Sequence, residues 1–304
     1  MDQFTASSPQ LFDLVSAGAR LRELCSGCTF TEGPVWDPIG KALLFSDMPA
    51  DVRRRWDPEQ GCAEVRRPSN KCNGMAFDAQ GRLLVCEHST SSLVRENPDG
   101  SRQVLASHWG DKELNSPNDV IVLSDGSIIF SDPVYGRWPG FGVERAQDLA
   151  FQGVYRIGPN GGGLQLVADD FAQPNGLCMS PDESLLYVND TERAHIRVFK
   201  NHGDGSFGTS QVFRDGIGTG DLQEGVVDGM KCDERGNVWV SGPGGIWVLS
   251  PSAQLLGVIH TPENVGNLTF GGPDWSTLFI AASTTVWALD TLTRSAPVPN
   301  IMRV

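Results

Sequence analysis

The stretch Gly33-PVWDPIGKALLFSD-Met48 decides the fold. It reads as an apolar strand, a turn built on Asp and Gly, and a second apolar strand. The same reading returns in Gly74-MAFDAQGRLLVCEH-Ser89, Asp119-VIVLSDGSIIFSDP-Val134, Gly176-LCMSPDESLLYVND-Thr191, Gly229-MKCDERGNVWVSGP-Gly244 and Leu268-TFGGPDWSTLFIAA-Ser283. Further strand-like pieces lie between the copies, among them Gly153-Val-Tyr-Arg-Ile157, Ile196-Arg-Val-Phe199 and Ile246-Trp-Val-Leu-Ser250. Each unit is therefore predicted to hold about four short strands, and units of roughly 40–50 residues with that content mark a β-propeller. Helical periodicity is nearly absent; Val143 to Leu149 is predicted to form a turn or two.

Six such sheets cover one another's faces only if the ring closes. Ala19-Arg-Leu-Arg-Glu-Leu24 precedes the first copy, and the last unit runs out of strands after Val286-Trp-Ala-Leu-Asp290. The expected fold is thus all-β, a six-bladed β-propeller whose ring is closed by the N-terminal strand joining the last blade. Residues 1–304 are expected to form one domain, with an N-terminal extension over about 1–18.

Composition removes other classes. Lys and Arg total 24 against 37 Asp and Glu, a net charge of −13 that repels phosphate backbones and anionic lipid, so neither nucleic acid nor membrane is an expected partner. No apolar run approaches the length of a bilayer span, and Met1-Asp2-Gln3-Phe4, with no basic region ahead of an apolar one, is not expected to open a secretory leader. The seven cysteines are odd in number and mostly single within apolar segments, which suits reduced, buried thiols in a cytoplasm. Cys25-Ser-Gly-Cys28 lacks the second pair of a zinc site and reads as two small buried residues near a strand end. Gly203-Asp-Gly205-Ser-Phe-Gly208 has no following helix and reads as a hairpin, not a dinucleotide fingerprint. Arg53-Arg54-Arg55 is expected on the solvated face of an outer strand. No GxSxG elbow or P-loop occurs, which leaves a serine triad unsupported.

The repeat also places chemistry. Inner strands of a propeller line its channel, so equivalent residues form a ring at one depth. The residue before each copy is Glu32, Asn73, Asn118, Asn175, Asp228 and Asn267, each with a side-chain oxygen. Asn and Asp also favour turns leading into strands, but six oxygens at one repeat phase point to a site for a hard divalent cation, with three or four protein ligands and open positions. Second strands return to the same mouth and end in Asp47, Glu87-His88, Asp132, Asp190 and Ser241. Long loops open there too: Gly136-RWPGFGVERAQDLAF-Gln152, with Trp138 and Phe141 as a roof and Arg137 and the preceding Tyr135 as polar contacts, and Arg214 to Val227.

Glu32-Gly-Pro-Val-Trp36, Ser116-Pro-Asn-Asp-Val120, Gln173-Pro-Asn-Gly-Leu177, Val227-Asp-Gly-Met230 and Asn267-Leu-Thr-Phe-Gly-Gly272 resemble the gluconolactonase branch of the regucalcin (senescence marker protein 30)-like superfamily. The likeness runs from about residue 20 to 290. It implies a carboxylic-ester hydrolase of carbohydrate metabolism that opens a sugar lactone to its aldonic acid, using one divalent cation. Calcium is expected before magnesium, manganese or zinc. The resemblance implies Glu32, Asn175 and Asp228 as metal ligands, Asn118 as a further ligand or substrate contact, and Asp228 as general base. Cys86-Glu-His88 resembles the bacterial pattern and gives His88 a substrate or proton-transfer role, with Glu87, Asp132, Tyr135, Arg137 and Trp138 as further substrate contacts. Ser116 stands where animal regucalcin-type members carry an Arg that touches sugar hydroxyls. A phosphotriesterase on the same scaffold, or a metal-stabilised interaction propeller without catalysis, are the alternatives; the assembly is expected to be a monomer or homodimer.

Overall fold

Antiparallel pairing in a computed structural model, which describes residues 2–297, gathers the strands into six radial sheets and one small ribbon, His108–Trp109 with Lys112–Glu113. Their inner strands are Thr31–Asp37, Cys72–Phe77, Val120–Val122, Pro174–Met179, Met230–Cys232 and Val265–Gly271. Each copy of the repeat forms the inner two strands of one blade, as in blade one, where Val35 pairs with Leu44 and Trp36 with Leu43. Arg22–Cys25 pairs with Thr285–Asp290 and completes blade six, so the ring is closed as the sequence implies. A shorter strand, Phe4–Ala6, adds a fifth member to blade five by pairing with Leu255–His260. The N-terminal extension is therefore partly a strand. Val143 to Leu149 forms no helix; the single helical turn of that loop is Tyr135–Arg137.

Apolar side chains alternate along these strands and fill the gaps between sheets, not one central core. Leu84, Cys86 and Leu93 of blade two meet Val120, Phe130 and Tyr155 of blade three. Trp239, Ile246 and Ile259 of blade five meet Leu268, Phe270 and Ile280 of blade six. The other four junctions carry equivalent clusters. A fully buried Leu or Phe contributes about 1.5–3 kcal/mol, so each junction stabilises both of its neighbours.

Towards the axis the strands crowd. In blades one, two, four and six the ladder register shifts at the ring position, a bulge that re-aims side chains into the channel. Glycines follow four of the six ring residues, as Gly33, Gly74, Gly176 and Gly229, because the next strand is too close for a Cβ: at Gly176 one would sit 2.0 Å from the Asp228 carbonyl oxygen. The approach is used, since the Gly176 amide donates to that oxygen at 3.1 Å and the Gly74 amide to Asn118 O at 2.7 Å.

Cysteine behaviour departs from expectation at one place. Cys25 of the closing strand forms a disulfide with Cys62 on the outer strand of blade one. Loop and strand lengths bring together two residues whose separation in the sequence hides the pairing. Cys28, Cys72, Cys86, Cys178 and Cys232 are free and buried. Arg53 is likewise not solvated: it is buried and ion-paired with Glu96 of blade two at 2.8 Å. Among the described residues no helix is long and apolar enough to cross a membrane.

Candidate functional site

Five of the six ring residues, Glu32, Asn73, Asn118, Asn175 and Asp228, line one cavity of about 200 Å³ at the channel mouth. The sixth lies behind them. Asn267 donates Nδ2 to Glu32 Oε2 at 3.2 Å, and the Gly33 amide donates to the same oxygen at 2.9 Å. Both contacts fix the carboxylate and leave Oε1 on its other side. Asn175 is held comparably: its Nδ2 donates to Thr191 Oγ1 at 3.1 Å and to the Tyr135 hydroxyl at 3.4 Å, while its buried Oδ1 has no partner. An orphaned amide oxygen beside two carboxylates is a donor set for a hard cation.

Electrostatics agree. Burial lifts the Glu32 carboxyl to about 7, opposed by the Gly33 amide and reinforced by the charge of Asp119. Asp228 is pushed well above the usual carboxylate range, first by burial, then by Glu32 and Asp119. Lys231, 3.7 Å from Asp119 Oδ2, opposes the shift of Glu32 from outside the cavity, and among the described residues none lining it is Lys or Arg. Nor, among the described residues, do three His, Cys, Asp or Glu side chains cluster as a metal site, because here two carboxylates work with carboxamides. The residues present thus fit a divalent oxygen-seeking ion held by Glu32, Asn175 and Asp228, with Asn118 beside them.

Tyr135 and Trp138 also line the cavity, their rings in edge-to-face contact at 5.2 Å, and Phe141 packs edge-to-face on Phe30 at 6.1 Å. Burial raises the Tyr135 phenol above its ordinary value, Asp228 adding to the shift. Three expected substrate contacts are elsewhere. Asp132 accepts the Asn115 and Ser116 amides at 2.8 Å each and anchors the approach to its inner strand; Asp47 and Asp190 do the same in their own blades. Glu87 is occupied by Arg102, Asn70 and Thr90. Arg137 is buried against the Asn115 and Leu114 carbonyls and Glu113, so it fastens the 136–152 loop rather than facing the cavity.

His88 lines the cavity. Its Nδ1 lies 2.9 Å from the Phe141 carbonyl oxygen and its Nε2 3.2 Å from Asn73 Nδ2. Burial lowers its pKa to about 4, which favours the neutral ring at neutral pH.

Sequence reasoning missed the upper wall. Two positions before each ring residue stand Phe30, Lys71, Ser116, Gln173, Val226 and Val265. Phe30, Val226 and Val265 line the cavity. The other three hold the roof: Lys71 Nζ donates to Gly140 O, Ser116 Oγ accepts the Gly136 amide, and Gln173 Oε1 accepts from the Tyr135 hydroxyl. The same repeat phase, shifted by one inward-facing position, was the available signal. Ser116 is thereby occupied with the loop.

A six-bladed propeller with hard oxygen donors gathered at one end of its channel is the class of protein so defined. The chain belongs to the SMP-30/gluconolactonase/LRE-like family, whose model matches residues 30–284. It is 31% identical to a gluconolactonase of Zymomonas mobilis, across 96% of this chain and 86% of that one. A solved gluconolactonase from Xanthomonas campestris superposes with a TM-score of 0.87 at 34% identity, covering 96% of this chain and 95% of that one. A calcium-binding regucalcin from Agrobacterium tumefaciens shares the fold, with a TM-score of 0.75 at 19% identity and 92% and 97% coverage.

Proposed function

We propose that this protein hydrolyses the ring ester of a sugar lactone to the aldonic acid, as a carboxylic-ester hydrolase with Asp228 as general base. The observation that carries the reading is the meeting of Glu32, Asn118, Asn175 and Asp228 in one cavity, with the Asn175 amide oxygen unpartnered. The gluconolactonase relatives support the substrate class.

A divalent cation, calcium first by the hardness of the donors, would supply Lewis-acid stabilisation of the oxyanion, worth several kcal/mol. Glu32 and Asn175, with Asp228, would hold the ion; Asn267 and Gly33 already orient the Glu32 carboxylate, and Thr191 the Asn175 carboxamide. Asp228 takes the proton of the attacking water, a step that contributes typically about 10²–10⁴-fold. Trp138, Phe141 and Phe30 shield the reacting ester from bulk water. The departing ring oxygen collects its proton from solvent, since His88 holds its single hydrogen on the Phe141 carbonyl.

The test is a pH-stat assay on glucono-1,5-lactone with spontaneous opening subtracted, before and after EDTA, with Ca²⁺, Mg²⁺, Mn²⁺ and Zn²⁺ restored separately. Enzymatic opening that EDTA abolishes and a cation restores is expected. Rates equal to the spontaneous one, or indifferent to EDTA, refute the reading.

A further inference from the structure

We propose that Asn73 is a specificity-determining residue that accepts a hydrogen bond from a hydroxyl of the lactone, and that His88 is the positioning residue that orients it. The proposal rests on the lactonase reading and names one contact of its substrate.

Asn73 is buried and lines the cavity. Its Nδ2 is 3.2 Å from His88 Nε2, and its Oδ1 has no hydrogen-bond partner. Which end of the carboxamide faces the imidazole depends on the tautomer, and a third contact fixes that. The Phe141 carbonyl oxygen, 2.9 Å from His88 Nδ1, can only accept, so Nδ1 carries the hydrogen. On the neutral ring Nε2 is then a bare lone pair. Only the NH2 end of Asn73 satisfies it; a flipped amide would set oxygen against nitrogen, acceptor against acceptor. One backbone carbonyl thus dictates a tautomer, the tautomer dictates an amide orientation, and the amide is left with an acceptor of fixed direction.

That acceptor calls for a donor. A buried carbonyl oxygen without a partner is disfavoured, and a ligand O–H that reaches it restores the bond. Glu32 and Asp228 supply the two negative charges that balance a divalent ion, with the unpartnered Asn175 Oδ1 as a neutral donor beside them, so the cation does not need Asn73. Asn73 is instead set by Phe141, a residue of the roof, so its contact is assembled together with the wall that meets whatever enters the mouth. Packing leaves no play: a Cβ on Gly136 would lie 2.5 Å from Ser116 Cβ and 2.7 Å from His88 Cβ. The subsite reads a hydroxylated ring and is indifferent to a bare one.

The experiment compares wild type, Asn73→Ala, His88→Ala and the double variant on glucono-1,5-lactone and on δ-valerolactone, which has no hydroxyl. Each single variant is expected to raise KM for gluconolactone about tenfold while kcat stays within about threefold, and to leave δ-valerolactone within about twofold. The double variant should be no worse than Asn73→Ala, because both act through one contact. Calcium affinity should be unchanged in Asn73→Ala; a tenfold loss would make Asn73 a metal ligand and overturn the proposal, as would equal losses on the two lactones. Independently of any variant, ¹⁵N spectra of wild-type protein should show His88 with hydrogen on Nδ1 and none on Nε2; the opposite tautomer also overturns it. A wild type that opens neither lactone removes the lactonase reading and this proposal together. A wild type that opens both, with Asn73→Ala unaffected, removes this proposal alone.

Discussion

Replacing His88 by Gln is expected to flatten the acid limb of the stability curve. Burial is the main reason the imidazole is lowered to about 4; the Phe141 carbonyl opposes the shift, and the charges of Lys71 and Arg145 add to it. The unfolded imidazole titrates near 6.5. Between these values the unfolded chain binds a proton that the folded one refuses, so the contribution is complete above about pH 6.5 and is lost as pH falls towards 4. The loss relative to pH 8 is about 1.4 kcal/mol at pH 5.5 and about 2 kcal/mol at pH 5. Urea denaturation of both proteins, followed by tryptophan fluorescence at pH 8, 6.5, 5.5 and 5, measures it. The replacement carboxamide is neutral throughout, and other titrating groups cancel in the difference. The offset between the curves reports the lost hydrogen bonds; only the change of that offset with pH tests the linkage. Curves parallel to within about 0.3 kcal/mol would refute the buried neutral histidine.

Asp228→Asn should leave a folded protein whose lactone opening falls at least about a hundredfold, since an amide cannot take the proton from water; near wild-type turnover in a pH-stat assay removes Asp228 as base. Cys62→Ala should reduce stability by up to about 4 kcal/mol without reductant, from a loop of 37 residues. In dithiothreitol the two proteins should unfold alike, and a difference that survives reduction would mean that packing, not the crosslink, was lost. Gly176→Ala puts a Cβ 2.0 Å from the Asp228 carbonyl oxygen, with no flexible atom to yield. It should cost about 1–3 kcal/mol in thermal or urea unfolding and displace Asp228 enough to depress activity; a variant as stable and active as wild type would contradict the close approach of these strands.

The ring was legible because the repeat fixes its phase: Glu32, Asn118, Asn175 and Asp228 share a position whose side chains keep one chemical character. The wall above was not, since Phe30, Lys71, Ser116, Gln173, Val226 and Val265 share a position but no chemistry. Asp132 and Glu87 misled for a related reason. A carboxylate at a strand end near a channel mouth reads as functional, whereas Asp132 meets the more immediate demand of unpaired backbone amides at Asn115 and Ser116. Arg137 turned inward under the same pressure, from carbonyls of the loop it closes. The Cys25–Cys62 pairing depends on which blades are neighbours across the ring junction, a relation that spacing alone does not carry. The tautomer of His88 depends on a carbonyl of the distant 136–152 loop.

Ring closure by Arg22–Cys25 has a consequence for synthesis. That segment leaves the ribosome before any blade exists, yet its partner, Thr285–Asp290, is made almost last. Blades one to five can pair their strands as they emerge, while the closing segment trails unpaired with an open edge, exposed to wrong partners until translation is nearly over. Moving the termini to a loop between two intact blades would bring Thr285–Asp290 and Arg22–Cys25 much closer along the chain, and such a permuted chain should reach its native state faster.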